Sequence, residues 1–454
     1  EADCPLGSRA ARILRTVPCM MLARSLLLGL LLCRTAAVRF RNASDAAAVR
    51  VAGSSAHPWP AKNGNFKRTG QAQWAAGPTD LSEAAWVFEH EANEANGFFY
   101  QSPLIDSNGN AHFSASNGMQ YSVSPSGKVN WRVKLPAVNA PNGQPPTPVL
   151  HGSALYTVDG QGSLVVLSLD SGKELLRKRY ALGSGSDSWS MGFDEETQTV
   201  FALGFPTVDG FAACGYGGTH LYALDMHDGH IKWTYQLKKC NCNLMSSTVD
   251  GQVIFSDWVG NTYALDVHTG KELWVQPGYG DKSFTTGTAA VSETGLVITA
   301  ANRHESKGVV KAFEVRTGKL RWERFFAREA NNAPATYRDR NGRLLAVMGI
   351  ANNAGYPNPS LEGKVSFNGT VFALDAETGE TVWKFSPPEW KHPACAGSTS
   401  EEICLPDAFT NPSVDSKGTV FIGWMGGFVY AIDGTTGKGV SSWETRSGMQ
   451  GAPA

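Results

Sequence analysis

Short runs of alternating apolar and polar residues, broken by Gly-containing turns, fill most of the chain. Thr262-Tyr-Ala-Leu-Asp266 is one such run, and its period of two predicts a half-buried β-strand. It passes directly into Asp266-Val-His-Thr-Gly270. There Asp accepts backbone N–H groups and Gly supplies a positive φ, so a tight turn is expected. The following strand ends at Trp274, whose ring is large enough to cover the seam between neighbouring units. Another hairpin precedes each unit. Residues 247–256 fold about Asp250-Gly251, a strong two-residue turn signal. Asp106-Ser-Asn-Gly109, Asp159-Gly160 and Asp415-Ser-Lys-Gly418 play the same part. Asp106-Ser-Asn-Gly-Asn110 could also be read as a calcium loop, but a hairpin turn is the expectation.

The unit repeats. Tyr263-Ala-Leu-Asp-Val-His-Thr-Gly-Lys-Glu-Leu-Trp274 has near copies in Tyr222–Trp233 and Phe372–Trp383, with Lys311–Trp322 in the same frame and Glu314 replacing Asp. Tyr430-Ala-Ile-Asp-Gly-Thr-Thr-Gly-Lys438 reaches Trp443 two residues late. Weaker copies end at Trp131 and at Leu176, where Leu replaces the expected Trp. Seven copies at intervals of roughly 40 to 60 residues mark a β-propeller with one four-stranded blade per copy. Ser447–Ala454 looks like the inner strand of an eighth. The expectation is therefore an all-β propeller, with seven recognisable repeats and an eighth blade that is incomplete or completed by N-terminal strands around Trp74 to Glu89.

Composition narrows the partners. The 454 residues carry 40 Lys+Arg against 41 Asp+Glu, a formal net charge of −1. Such a balance gives no electrostatic reason for nucleic acid or an anionic membrane as the main partner. Hydrophobic residues make up 42% and charged residues 18%, which excludes a disordered chain. The 49 Gly and 13 Trp suit a fold of many hairpins.

The N-terminal residues read as a leader. Arg24 precedes the apolar run Ser25–Leu32, and Cys33-Arg-Thr-Ala-Ala37 ends in small residues. This is the order of a secretory signal peptide, and the run is too short for a membrane core about 30 Å thick. Residues 1–19 then form an upstream extension, 20–37 the signal, 38–56 a linker and 57–454 one propeller domain. No transmembrane segment is expected in the mature chain. An oxidising compartment, extracellular or lumenal/periplasmic, fits the remaining cysteines. Cys395 and Cys404 bracket a short polar stretch suited to a disulfide-closed loop, while Cys214, Cys240 and Cys242 allow one further bridge. Asn42 and Asn368 lie in glycosylation sequons.

The Ala-x-Asp-x-x-Thr-Gly-Lys-x-x-Trp frame resembles the tryptophan-docking motif of the pyrroloquinoline-quinone-type repeat propellers. His57-Pro-Trp-Pro60, Gly64-Asn65 and Arg68-Thr-Gly70 resemble the opening of the same family. The resemblance covers about residues 57 to 454 and assigns Trp131, Trp233, Trp274, Trp322, Trp383 and Trp443 as docking residues. It implies one of two functions: a binding or scaffold module, or a quinoprotein dehydrogenase that holds pyrroloquinoline quinone and calcium (Ca2+) in the central funnel and oxidises an alcohol or sugar.

Chemistry would lie on the loops leading from each docking Trp into the next inner strand. A calcium–quinone site needs hard oxygen ligands, a cation for the quinone carboxylates, and an aromatic stacking surface. Asp187, Asn243, Asp281, Asn332, Asp407 and Asn411 could supply oxygens, Lys282 the cation and Trp189 the stacking surface. Against the enzyme, the chain has no adjacent cysteine pair, the feature with which many dehydrogenases of this family cover their cofactor. Metalloprotease, P-loop, nucleophile-elbow and dinucleotide motifs are absent as well. The expectation is a secreted binding or scaffold propeller that takes a protein or small-molecule ligand at its funnel, with the quinoprotein dehydrogenase as the alternative.

Overall fold

A computed structural model shows seven four-stranded antiparallel sheets, each built from four consecutive strands. The structure describes residues 57–88, 101–137, 146–185, 189–207, 218–241, 246–280, 283, 285, 287, 289–303, 307–351, 368–390, 408–424, 426–445 and 453–454, together with a short ladder of Thr35–Ala36 on Val87–Phe88. Among the described residues there is no helix. The molecule is a β-propeller of seven blades. Blade 1 runs from Leu104 to Lys134, blade 2 from Val149 to Arg179, blade 3 from Gly192 to Asn241 and blade 4 from Ser247 to Gln276. Blade 5 runs from Ala290 to Phe326, blade 6 from Ala335 to Phe385 and blade 7 from Ser413 to Glu444.

The repeated turn works as its residues predict, with one addition. Asp266 Oδ1 accepts the amides of His268 at 3.1 Å and Thr269 at 2.8 Å, and Gly270 adopts φ 68°. A Cβ on Gly270 would lie 2.6 Å from the Trp233 ring. The glycine is thus required twice, for the turn and for the ring of the preceding blade that lies flat on it. Five of the six predicted docking indoles also donate to a backbone carbonyl of the next blade, while Trp443 instead packs half-buried against Leu81. Trp131 bonds Leu169 O at 2.6 Å, Trp233 bonds Val267 O at 2.9 Å and Trp274 bonds Val315 O at 2.9 Å. Trp322 bonds Ala376 O at 2.8 Å and Trp383 bonds Gly434 O at 2.7 Å. A register shift between the third and fourth strands recurs in every blade, as at Ala264/Leu265. Such a bulge re-aims the side chain beside it, here the docking Trp. Blade 2 carries Leu176 instead, and the stem of Lys178 covers Gly229 of blade 3.

In the sector predicted for an eighth blade, the described residues hold no further four-stranded sheet. One N-terminal run spans it. Ala75 O accepts Ser416 N at 2.9 Å and Thr79 O accepts the Ser441 hydroxyl at 2.8 Å, while Leu81 packs on Phe421, Val429 and the half-buried Trp443 of blade 7. The run then crosses to blade 1. Trp86 Nε1 donates to Pro125 O at 2.8 Å, its ring lies over Gly127, and Phe88 packs on Phe113 and Tyr121. Trp86 is therefore another docking tryptophan, supplied from outside the repeats. The predicted inner strand at 447–454 falls almost wholly outside the described residues.

The axis is occupied by His57–Ala72. The Trp59, Pro60, Phe66, Lys67, Thr69 and Gly70 carbonyls accept amides from Ile105, Leu150, Thr248, Val291, Thr336 and Val414, one from the innermost strand of each of six blades, at 2.7–3.0 Å. The outer end of this segment is pinned by histidine. His57 Nδ1 accepts Ser107 N at 3.1 Å and Nε2 donates to Gly152 O at 2.8 Å. Beside it, Asp106 accepts Asn108 N at 2.9 Å and Asn110 N at 2.8 Å, closing the hairpin turn, and bonds His112 Nε2 at 2.9 Å. Burial pushes the Asp106 carboxyl up, but bonds from His112 and Asn110 outweigh it and leave it below its usual range.

Burial holds His57 and His151 below the ordinary histidine pKa. Acidification below about pH 6.5 therefore protonates these histidines in the unfolded chain before the folded one, and stability falls; Asp106 adds a further loss only below about pH 4. The urea midpoint is expected to drop between pH 7.5 and pH 5.5. His57→Gln, which keeps one donor and one acceptor, is expected to flatten that slope. An unchanged slope in the variant would contradict this role for His57.

Candidate functional site at the axial channel

The two faces of the propeller differ. Turns such as 106–110 and 415–418, together with the start of the axial segment, occupy one face. The loops that enter each innermost strand occupy the other. The entry positions are polar and buried: Gln101, Thr147, Ser190, Ser246, Asn332 and Thr410 stand at the heads of six blades. They are mostly bonded to one another and to backbone. Thr147 donates to Gln101, Thr147 N bonds Trp189 O at 2.9 Å, and Asn332 Nδ2 bonds Thr410 O at 3.4 Å.

Arg68 lies at the centre, fully buried. Its Nε donates to Ser246 O at 3.0 Å, one terminal nitrogen to Lys62 O at 2.8 Å and the other to Met191 O at 2.5 Å. The guanidinium thereby ties blades 3 and 4 to the axial segment, and the Phe66 ring, 5.1 Å from that of Phe193, adds an apolar contact to blade 3. Its partners among the described residues are carbonyls and no carboxylate. Burial pushes its pKa down to about 9, so it stays charged at neutral pH. The backbone is held in the left-handed region at φ 58°, which a bulky side chain resists. Gly70, at φ 66°, approaches blade 6 so closely that a Cβ would lie 2.6 Å from Ala335 Cβ.

The residues predicted for the site divide sharply. Asn332 is buried at the channel entry, and its Oδ1 has no hydrogen-bond partner. Asn411 bridges the axial segment to blade 6: its Nδ2 donates to Asn63 Oδ1 at 3.1 Å and its Oδ1 accepts Ala333 N at 2.8 Å. Trp189 is fully buried in the core between blades 2 and 3, and its Nε1 donates to Gly185 O at 2.7 Å. Asp187, Asn243, Asp281, Lys282 and Asp407 lie outside the described residues, as do Cys214, Cys242, Cys395 and Cys404. Asn368 lies among the described residues, with its Nδ2 3.4 Å from Glu389 Oε1.

Sequence reasoning passed over Arg68, Asn63, Ser246, Asn302 and Glu329 as site residues. All are buried, Arg68, Asn63 and Ser246 at the axis and Asn302 and Glu329 where blade 5 passes into blade 6, and Asn63 Nδ2, Ser246 Oγ and Asn302 Nδ2 lack partners. The signal for Arg68 was present in the Arg-Thr-Gly motif. For the others no pattern marks them.

Fold and repeat define a quinone-repeat type propeller. The chain belongs to that family: the family model described as outer membrane protein assembly factor BamB matches residues 178–358 and 367–454. Among curated proteins, the chain is 26% identical over 276 residues to the dehydrogenase subunit of a quinone alcohol dehydrogenase from Gluconobacter oxydans, covering 48% of this chain and 35% of that protein. It is 22% identical over 326 residues to a quinate/shikimate dehydrogenase (quinone) from Acinetobacter baylyi, covering 64% and 37%. The chain spans little more than a third of the length of these relatives. Among solved structures, the quinohemoprotein alcohol dehydrogenase from Comamonas testosteroni aligns with TM-score 0.58 at 13% identity, over 89% of this chain and 75% of that one. A europium-containing methanol dehydrogenase aligns with TM-score 0.59 at 12% identity, over 87% of each chain. At these identities the structural likeness is one of fold.

Arg68→Met keeps length and apolar bulk while removing every donor. Three buried carbonyls lose the guanidinium, with only Met191 O keeping a second donor in Ser190 Oγ, and at roughly 1–3 kcal/mol for each unmet group the loss is several kcal/mol. The expected result is a large fall in the urea midpoint, with Arg68→Lys recovering only a minor part. A midpoint within error of the parent protein would show that the guanidinium holds nothing together.

Proposed function

We propose that this propeller is a secreted binding module that receives a protein or small-molecule ligand at the face of the channel where the inner-strand entry loops converge. The carrying observation is the asymmetry of the axis. The His57 end of the axial segment is pinned to the turns of one face, and towards the opposite face stand buried polar atoms without partners, Asn63 Nδ2 on the segment itself, Ser246 Oγ and Asn332 Oδ1. Buried polar groups are completed by ordered water or a ligand, so this end is the receiving one. Among the described residues, no helix is long and apolar enough to cross a membrane.

A second reading, a calcium- and pyrroloquinoline-quinone-dependent dehydrogenase, is favoured by the names of the curated relatives. The fit of the described residues is partial. Glu329, Asn302 and Asn332 offer the carboxylate and amide oxygens that calcium takes. The axial cation, Arg68, is committed to three carbonyls, and Trp189, the stacking candidate, is buried in the core. No oxidation step follows from this arrangement.

The test is a titration of the folded mature protein with pyrroloquinoline quinone, with and without calcium, read by tryptophan quenching and dye-linked alcohol oxidation. The binding-module reading expects no calcium-dependent quenching and no turnover. Tight calcium-dependent binding with turnover would replace it with the dehydrogenase.

A further inference from the structure

One cluster on the same face lies outside the channel and belongs to no buried core. Tyr279 sits in the loop leaving blade 4, fixed by a 2.8 Å bond from Gly278 N to Asn261 Oδ1. Its hydroxyl donates to Glu323 of blade 5. Lys311 Nζ lies 4.2 Å from the Tyr279 ring centroid, 3.2 Å from Pro277 O and 3.7 Å from Glu323. The Arg303 guanidinium lies between two rings, 4.9 Å from the Tyr279 centroid and 4.3 Å from that of Phe325. Those rings meet edge to face at 6.2 Å and are exposed, Tyr279 by 37% and Phe325 by 53%.

Two features separate this cluster from ordinary surface charge. None of the Arg303 N–H groups meets an acceptor or a carboxylate among the described residues. Among the described residues its neighbours Lys311 and Glu323 pair with each other, which leaves the Arg303 charge without a carboxylate on it. The aromatic walls also limit the guanidinium's rotation. A planar fork held by rings and without a carboxylate partner among the described residues is preorganised for one, since less side-chain entropy is lost per bond formed.

The surroundings specify the rest of the ligand. Phe325 belongs to Leu320–Phe326, the outermost strand of blade 5, which pairs on one side only. An extended chain alongside it meets the strand's outer edge and the exposed phenyl ring, across which lies the Arg303 guanidinium of the second strand. We propose that the blade 5 rim around Arg303, Tyr279 and Phe325 is a docking surface for an acidic, partly apolar extended segment of a protein partner, with one carboxylate received by Arg303. The apolar walls favour a carboxylate on an alkyl stem over a more strongly hydrated phosphate. This goes beyond the channel reading and does not depend on what the channel holds.

The experiment uses the mature protein and a fluorescein-labelled dodecapeptide of alternating Glu and Leu, read by anisotropy at low and high salt. Saturable binding that weakens with salt is expected. Arg303→Lys, at a half-buried position, and Phe325→Ser, at an exposed one, are each expected to weaken it by about five- to ten-fold. Glu323→Gln, which removes the competing negative charge, is expected to tighten it, an effect that a folding defect does not produce. A matched Lys-Leu peptide should not compete, nor should phosphate compared with chloride at equal ionic strength. Unsaturable binding, an Arg303→Lys protein that binds like the parent, or displacement by phosphate beyond that by chloride would each overturn the proposal.

Discussion

Six carbonyls of one short N-terminal segment accept hydrogen bonds from the innermost strands of six blades, and its arginine reaches the seventh. Everything else in the molecule depends on that axis. In a repeat fold each unit touches only its neighbours, so stability is a chain of nearest-neighbour contacts with open ends. The docking tryptophans are such contacts, each joining one blade to the next. They cannot by themselves fix how many blades close the ring. The axial segment can, because its length and the spacing of its carbonyls match one set of seven inner strands.

That construction divides the labour between the faces. The segment enters beside the His57–Gly152 contact and leaves along blade 7 towards the Trp86 dock on blade 1. It therefore closes both the hole and the seam. The face it leaves uncovered is the one where the entry loops converge, where the polar atoms without partners lie, and where the Arg303 cluster stands. The proposed binding role rests on this asymmetry more than on any single side chain.

Much of the fold could be read from local pattern, and the reasons for the rest are physical. The Asp-x-x-Thr-Gly turn and its Trp are contiguous, so Trp274 and Gly270 declare themselves. Trp86 does the same work without the turn frame, and its only sequence signal is that it lies one repeat interval before Trp131. The axial role of Trp59 to Gly70 is invisible locally because its partners lie from tens to hundreds of residues away; the motif was legible and its place was not. Asn332 and Asn411 were readable as loop residues at the channel entry. The core position of Trp189 was not, because an indole in a polar loop carries no mark of which way it faces. Arg303 was missed because its aromatic walls come from two different blades.

Native-state hydrogen exchange would test the central claim most directly. If the axial segment holds the ring, the amides of Leu150, Thr248, Val291, Thr336 and Val414, which donate to it, should exchange only with global unfolding, and all with one free energy. The Gly70 and Ala72 amides, which belong to the segment itself, should share that value. Fast exchange at Gly70 and Ala72, with the blade amides of Val253 and Val347 still protected, would show a ring that stands without its axis and would contradict the account.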